Sequence, residues 1–142
     1  MSVSTNGGCS CGNLKYSFDG EPVAIATCHC TACRRSTSSA FSTSLLVPVP
    51  AFPPLAGTPS TYARQGDSGS DVTDHFCPTC GSLIYVISKS APGLVFLKAG
   101  SLDDLSLNDT KFRPRVEIYC KNKYSWVSAV EGAAVFDGAM PA

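Results

Sequence analysis

Seven of the eight cysteines in this chain crowd into three short groups: Cys9-x-Cys11, Cys28-x-Cys30-x-x-Cys33 and Cys77-x-x-Cys80, with Cys120 standing alone. Disulfides across such spacings are strained, whereas one backbone turn can present two sulfurs about 2.3 Å from a zinc ion. The start Met1-Ser2-Val3-Ser4 has neither a cationic nor an apolar signal segment, so the thiols are expected to stay reduced in the cytoplasm. Eight cysteines in 142 residues also fall short of the roughly 8–10% that marks a disulfide scaffold. Zinc is therefore the expected occupant. Rubredoxin-like iron is the weaker reading, because Cys9-x-Cys11 lacks the two-residue spacer of that motif.

The outer groups resemble each other beyond sulfur. Cys11-Gly12-Asn13-Leu14-Lys15-Tyr16 and Cys80-Gly81-Ser82-Leu83-Ile84-Tyr85 match at Cys, Gly, Leu and Tyr. Each reads as a knuckle in which the chain turns sharply behind the metal ligand, a turn that glycine tolerates, and then leaves as a strand. Two similar half-sites make a closed four-thiolate shell, so Cys9, Cys11, Cys77 and Cys80 are expected to hold one structural zinc. A dication with four thiolates carries a net charge of minus two and has no vacant position, which disfavours chemistry there.

The middle group supplies three thiolates, Cys28, Cys30 and Cys33, and no adjacent fourth. An open position is the mark of a ligand-exchanging zinc. Two residues could close it. His29 is poorly placed, since side chains alternate in an extended Cys-His-Cys segment and His29 should point away from the flanking sulfurs. Cys120 is the real rival, although within Val116-Glu117-Ile118-Tyr119-Cys120 it reads as a small buried strand residue.

β-prone runs at 14–18, 41–47, 72–76, 83–87, 94–99 and 116–119 read as strands, and only residues 31–36 suggest a turn of helix. An all-β domain spanning 1–142 follows, with 48–54 and 65–71 as loops, because the matching knuckles on either side must meet. Eleven cationic residues balance 11 acidic ones, and no basic run offers a footprint for nucleic acid or an anionic membrane. The longest apolar stretches, such as 83–87, are far short of the roughly 20 residues of a membrane helix.

With these residues in view, Gly8-Cys9-Ser10-Cys11-Gly12, Cys28-His29-Cys30-Thr31-Ala32-Cys33-Arg34 and Phe76-Cys77-Pro78-Thr79-Cys80-Gly81 resemble the glutathione-dependent formaldehyde-activating enzyme family, also called the CENP-V/GFA domain. Gly100-Ser101-Leu102-Asp103-Asp104, Arg113-Pro114 and Lys123-Tyr124-Ser125-Trp126 extend the likeness to nearly the whole chain. The resemblance implies a β-tent of packed antiparallel sheets, a structural zinc on the outer pairs and a catalytic zinc on the middle trio. It also implies carbon–sulfur lyase chemistry: glutathione adds to formaldehyde to give S-(hydroxymethyl)glutathione, or the adduct is split. Where many relatives have a histidine after the Arg-Pro segment, this chain has Glu117.

A small thiol such as glutathione and an aldehyde or other small electrophile are thus the expected partners. Arg34 and Arg35 could hold a substrate carboxylate by paired hydrogen bonds. His29, His75 and Glu117 are the available proton carriers, and Tyr124 and Trp126 read as core aromatics. The alternative is a non-catalytic zinc module whose surface binds another protein.

Overall fold

A computed structural model describes residues 4–141. Strands β1 (Ser4–Gly8) and β2 (Lys15–Asp19) pair antiparallel as a hairpin whose tip carries the first knuckle. A second sheet contains β3 (Ala24–Cys28), β4 (Ser42–Pro48), β5 (Ser60–Gln65), β6 (Asp71–Phe76), β7 (Leu83–Ser88), β8 (Leu94–Lys98), β9 (Val116–Ile118) and β10 (Ala134–Val135). Its order is β10-β9-β3-β4-β8-β7-β6-β5. A single α-helix among the described residues, α1 (Thr31–Thr37), follows β3. The expected all-β class and the short helix are both present, and every predicted strand is found within a residue or two of its place.

The sheet is mixed rather than wholly antiparallel: β9 runs parallel to both β3 and β10. Parallel pairing needs a long connection, and residues 99–115 between β8 and β9 supply it with short 3-10 turns at Ala99–Ser101 and Leu105–Asp109. Strands β1, β3, β5 and β10 were not visible in the sequence. β1 reads Ser-Thr-Asn-Gly-Gly and is ordered by pairing with β2, while β5 is an outer strand, mostly exposed. Neither has the alternation of apolar and polar residues that marks a strand locally.

Both faces of the large sheet are used. Leu45 of β4 sits opposite Ile25 of β3 and Leu97 of β8, and this row packs against Leu14, Tyr16 and Phe18 of the hairpin segment to make the core. One residue on, Ser44 lies opposite Ala26 and Lys98, and Leu46 opposite Phe96, so this alternate row faces the other way. Strands clothed on both sides read as near-continuous apolar runs, which is why Leu45-Leu46-Val47 and Val95-Phe96-Leu97 show no alternation. Among the described residues no helix is long and apolar enough to cross a membrane.

Candidate metal centres and the adjoining cleft

The two knuckles meet as their sequence likeness requires. Gly12 and Gly81 both have positive φ, 84° and 79°, the left-handed backbone that glycine adopts without strain. In each knuckle the first cysteine's amide closes the turn, Cys9 N–H on Leu14 O at 3.1 Å and Cys77 N–H on Ser82 O at 2.9 Å. The knuckles are also stitched to each other: Ser10 N–H donates to Ser82 Oγ at 3.1 Å, and Asn13 Nδ2 to Thr79 Oγ1 at 3.1 Å.

The ligand atoms of Cys9, Cys11, Cys77 and Cys80 all lie within 4.8 Å of one another. Bonds of about 2.3 Å in a tetrahedron put sulfurs about 3.8 Å apart, and Cys9 Sγ to Cys11 Sγ is 3.6 Å and Cys11 Sγ to Cys77 Sγ 3.7 Å. The donor set therefore fits zinc. Amides also face the sulfurs, with Leu14 N–H on Cys9 Sγ at 3.2 Å and Thr79 N–H on Cys77 Sγ at 3.4 Å. The Ser82 hydroxyl, with the Ser82 and Cys11 amides, pulls the Cys80 thiol down to about 5. A sulfur that ionises this readily is ready for a cation.

The second group, Cys28, Cys30 and Cys33, is also gathered within 4.8 Å. Cys28 ends β3, Cys30 precedes α1 and Cys33 lies in its first turn. Cys30 Sγ accepts the Cys33 N–H at 3.2 Å and so acts as the helix N-cap. Asp67 fixes the same turn from outside, accepting from the amides of Thr31 at 2.9 Å and Ala32 at 3.4 Å. Hydrogen bonds from Cys28 and Cys30, aided by the Lys98 charge and the Ser42 hydroxyl, pull Cys33 down to about 2. Cys28 is driven up by its sulfur neighbours Cys30 and Cys33 and by burial. Three thiolates at this spacing repel one another, and a bound dication is what lets all three ionise.

No fourth donor joins this trio among the described residues. Cys120 does not close it and is not a strand residue. It lies half-buried in a 3-10 turn, Cys120–Asn122, beyond a left-handed Tyr119 (φ 55°), and groups with His29 and Glu117. His29 points away from the trio, as alternation requires. It is 0% exposed, and its Nε2 lies 3.0 Å from Glu117 Oε1, which assigns the proton to Nε2 because a carboxylate only accepts.

The parallel β3–β9 pairing makes this contact, setting Glu117 opposite Thr27 while His29 N–H bonds Ile118 O at 3.1 Å. Glu117 also accepts from Val130 N–H at 2.9 Å and pairs with Lys123 Nζ at 3.4 Å. Burial raises the Glu117 pKa, but the Val130 amide, His29 and Lys123 outweigh it and the net shift is downward. Glu117 therefore gives up its proton more readily folded than unfolded. Its contribution to stability is complete above the ordinary value of 4.5 and drains away as pH falls through the lower folded value.

Replacing Glu117 with alanine strands a buried partner and is expected to lower the unfolding free energy by about 3–5 kcal/mol, read as a shift in urea midpoint at constant slope. Glu117→Gln keeps an acceptor, so it should cost less, while flattening the acid limb of stability against pH.

The trio opens onto a cleft of about 380 Å³ over the second face of the large sheet. Its floor carries Ser42, Ser44 and Leu46 of β4 with Lys98 and Phe96 of β8, and Val86 of β7 continues it. Lys98 is 8% exposed, and its ammonium donates to Ser44 Oγ at 3.1 Å and Ser42 Oγ at 3.4 Å. Tyr119 lines the cleft too, its phenol pKa pushed up by burial and by the neighbouring Cys28, Cys30 and Asp67. Arg64 of β5 reaches the cleft but is spent on Asp74, both carboxylate oxygens lying within 3.1 Å of its Nε.

Other residues named from the sequence lie outside the cleft. Arg34 and Arg35 do not line the cleft; Arg34 lies 4.5 Å over the Tyr124 ring and Arg35 is exposed. Tyr124 and Trp126 are not core aromatics but a stacked pair, 5.5 Å between centroids, with Trp126 72% exposed. Lys-Tyr-Ser-Trp has no buried neighbour in sequence to distinguish the two cases. His75 stacks on Tyr85 at 4.2 Å, on the face of β6 opposite Val72 of the cleft. Lys98, Ser42, Asp67 and Tyr119 escaped sequence reading, for register brings Lys98 and Ser42 to the sulfurs while Asp67 comes from the turn after β5 and Tyr119 from beyond the end of β9.

A family model described as glutathione-dependent formaldehyde-activating enzyme matches residues 4–122. The fold is similar to the crystal structure of a Rhodobacter sphaeroides protein, with TM-score 0.57 at 19% sequence identity over 73% of this chain and 93% of that one. At that identity the likeness is one of fold. Among curated proteins no match is found.

Proposed function

Because the chain belongs to the glutathione-dependent formaldehyde-activating enzyme family, we propose that it forms and splits the carbon–sulfur bond of a thiol–aldehyde adduct at Cys28, Cys30 and Cys33. The observation that carries this reading is the contrast between the two sulfur groups. One gathers four cysteines, whereas the other gathers three, on the wall of a cleft, with no fourth cysteine among the described residues.

Zinc on the trio would offer a place for a fourth donor and would make a thiol there a stronger acid. In the forward direction the sulfur bonds to the carbonyl carbon, the carbon–oxygen π bond opens and the thiol proton ends on oxygen. The reverse regenerates thiol and aldehyde, so no oxidant or reductant enters. Within the chain, Asp67 and the Cys30 cap hold the trio's turn rigid, and His29 with Glu117 locks the Cys28–Cys30 segment from behind. Tyr119, its phenol protonated, donates a hydrogen bond to the substrate. Arg34 and Arg35, outside the cleft, serve the carboxylates of a glutathione-like thiol that extends from it. The knuckle zinc is structural, and the cytoplasm, where thiols stay reduced, suits all eight free cysteines.

Exchange NMR on glutathione and formaldehyde tests this. The exchange rate between free thiol and S-(hydroxymethyl)glutathione should rise in proportion to zinc-loaded protein. Exchange no faster than in buffer, for every thiol and aldehyde tried, would overturn the proposal and leave a non-catalytic zinc module.

A further inference from the structure

The cleft is not shaped for formaldehyde alone. At about 380 Å³ it falls within the roughly 300–1,000 Å³ range of sites that enclose whole small molecules, and a one-carbon aldehyde would fill little of it. The end beside the trio is polar. There Lys98 presents an ammonium with three donors, two of them engaged by Ser44 and Ser42. The third is free for an oxygen brought beside the trio. From Lys98 the same face of β8 continues as Phe96 and Leu94, and from Ser44 the same face of β4 continues as Leu46. Val86, opposite Phe96, extends this apolar wall across β7. Arg64 is neutralised by Asp74, so the wall offers no free charge to an ionic group.

We infer that the electrophile is an apolar aldehyde, its carbonyl oxygen on Lys98 Nζ and its hydrocarbon substituent lying along Phe96, Leu46 and Val86. The inference rests on the proposed thiol–aldehyde reaction and specifies the aldehyde half. The direction follows from register: the substituent and the oxygen leave one carbon, and the apolar row begins one side-chain step along β8 from the ammonium. During addition the carbonyl oxygen gains negative charge as its π bond opens, and a buried ammonium stabilises that charge where it develops. Lys98 is thereby a catalytic residue.

Two measurements on the zinc-loaded full chain test this. With one small thiol, 2-mercaptoethanol, kcat/KM for hexanal should exceed that for acetaldehyde by about thirtyfold or more, since hexanal is four methylenes longer and burying two or three of them, at about fourfold each, already gives that gain. The converse arm, hexanethiol with acetaldehyde, should show no such gain; a larger gain there would place the tail on the thiol and overturn the assignment.

Calorimetry with hexanamide and acetamide, unreactive carbonyl probes, reads binding without turnover. Hexanamide should bind more tightly, Phe96→Asn should abolish that advantage, and Lys98→Met should weaken both amides by about tenfold. Equal binding of the two amides overturns the apolar subsite even if formaldehyde turns over. Tight hexanamide binding with no turnover of any aldehyde instead sinks the proposed reaction and leaves the subsite standing.

Discussion

The chain carrying Cys77→Ser is expected to lose its cooperative thermal transition. Cys77 is the most enclosed of the four knuckle sulfurs, 0% exposed, and it packs in the same cluster as Leu14 and Ile84. Serine there removes a thiolate ligand and leaves a hydroxyl in the core. The loss is large because the knuckle joins segments 66 residues apart, and closure of such a loop is an ordering cost that bound metal offsets. Structural zinc sites hold their metal with about 10–16 kcal/mol, comparable with the roughly 5–15 kcal/mol that separates a whole domain from its unfolded state. Circular dichroism melts with zinc counted per chain check this. Chelation of the wild-type protein should give the same unfolded spectrum, and a melting point within a few degrees of the native one would sink it.

Cys30→Ser is expected to do the opposite, abolishing turnover while sparing the fold. Serine is among the favoured N-cap residues and can take over the cap that Cys30 Sγ makes with Cys33 N–H, so α1 survives. What is lost is one of three soft donors. Zinc should fall from two ions per chain to one, and thiol–aldehyde exchange should drop by at least about a thousandfold, equivalent to about 4 kcal/mol of transition-state stabilisation. The melting point should move little, since the knuckles are untouched. Retained exchange with one zinc would show that the trio is not the reacting site.

These contrasting outcomes reflect what was legible in the residues. Ligand spacing is a local property, so the division of seven cysteines into a four and a three could be read before any fold was known, as could the outward turn of His29 in an extended segment. Strands with apolar cores, such as β4 and β8, were equally plain. What could not be read depends on neighbours supplied at long range. Ser-Thr-Asn-Gly-Gly becomes β1 only against β2. Lys98 looks like the polar end of an apolar run until register sets Ser44 beside it, and Cys120 looked like a strand residue because nothing local signals the left-handed turn at Tyr119. Tyr124 and Trp126 misled for a related reason: aromatic character says nothing about which side of a loop faces water.

The seam between β3 and β9 sets a timetable for the chain as it leaves the ribosome. His29 emerges early but has no partner until Glu117, 88 residues later, and Glu117 in turn takes its last backbone hydrogen bond from Val130. Contacts this distant are slow to form, so the wall behind the trio cannot close until Val130 has been made. A nascent protein halted before that point displays Cys28 on the unpaired edge of β3, with Cys30 and Cys33 beside it, open to oxidants and to stray metal.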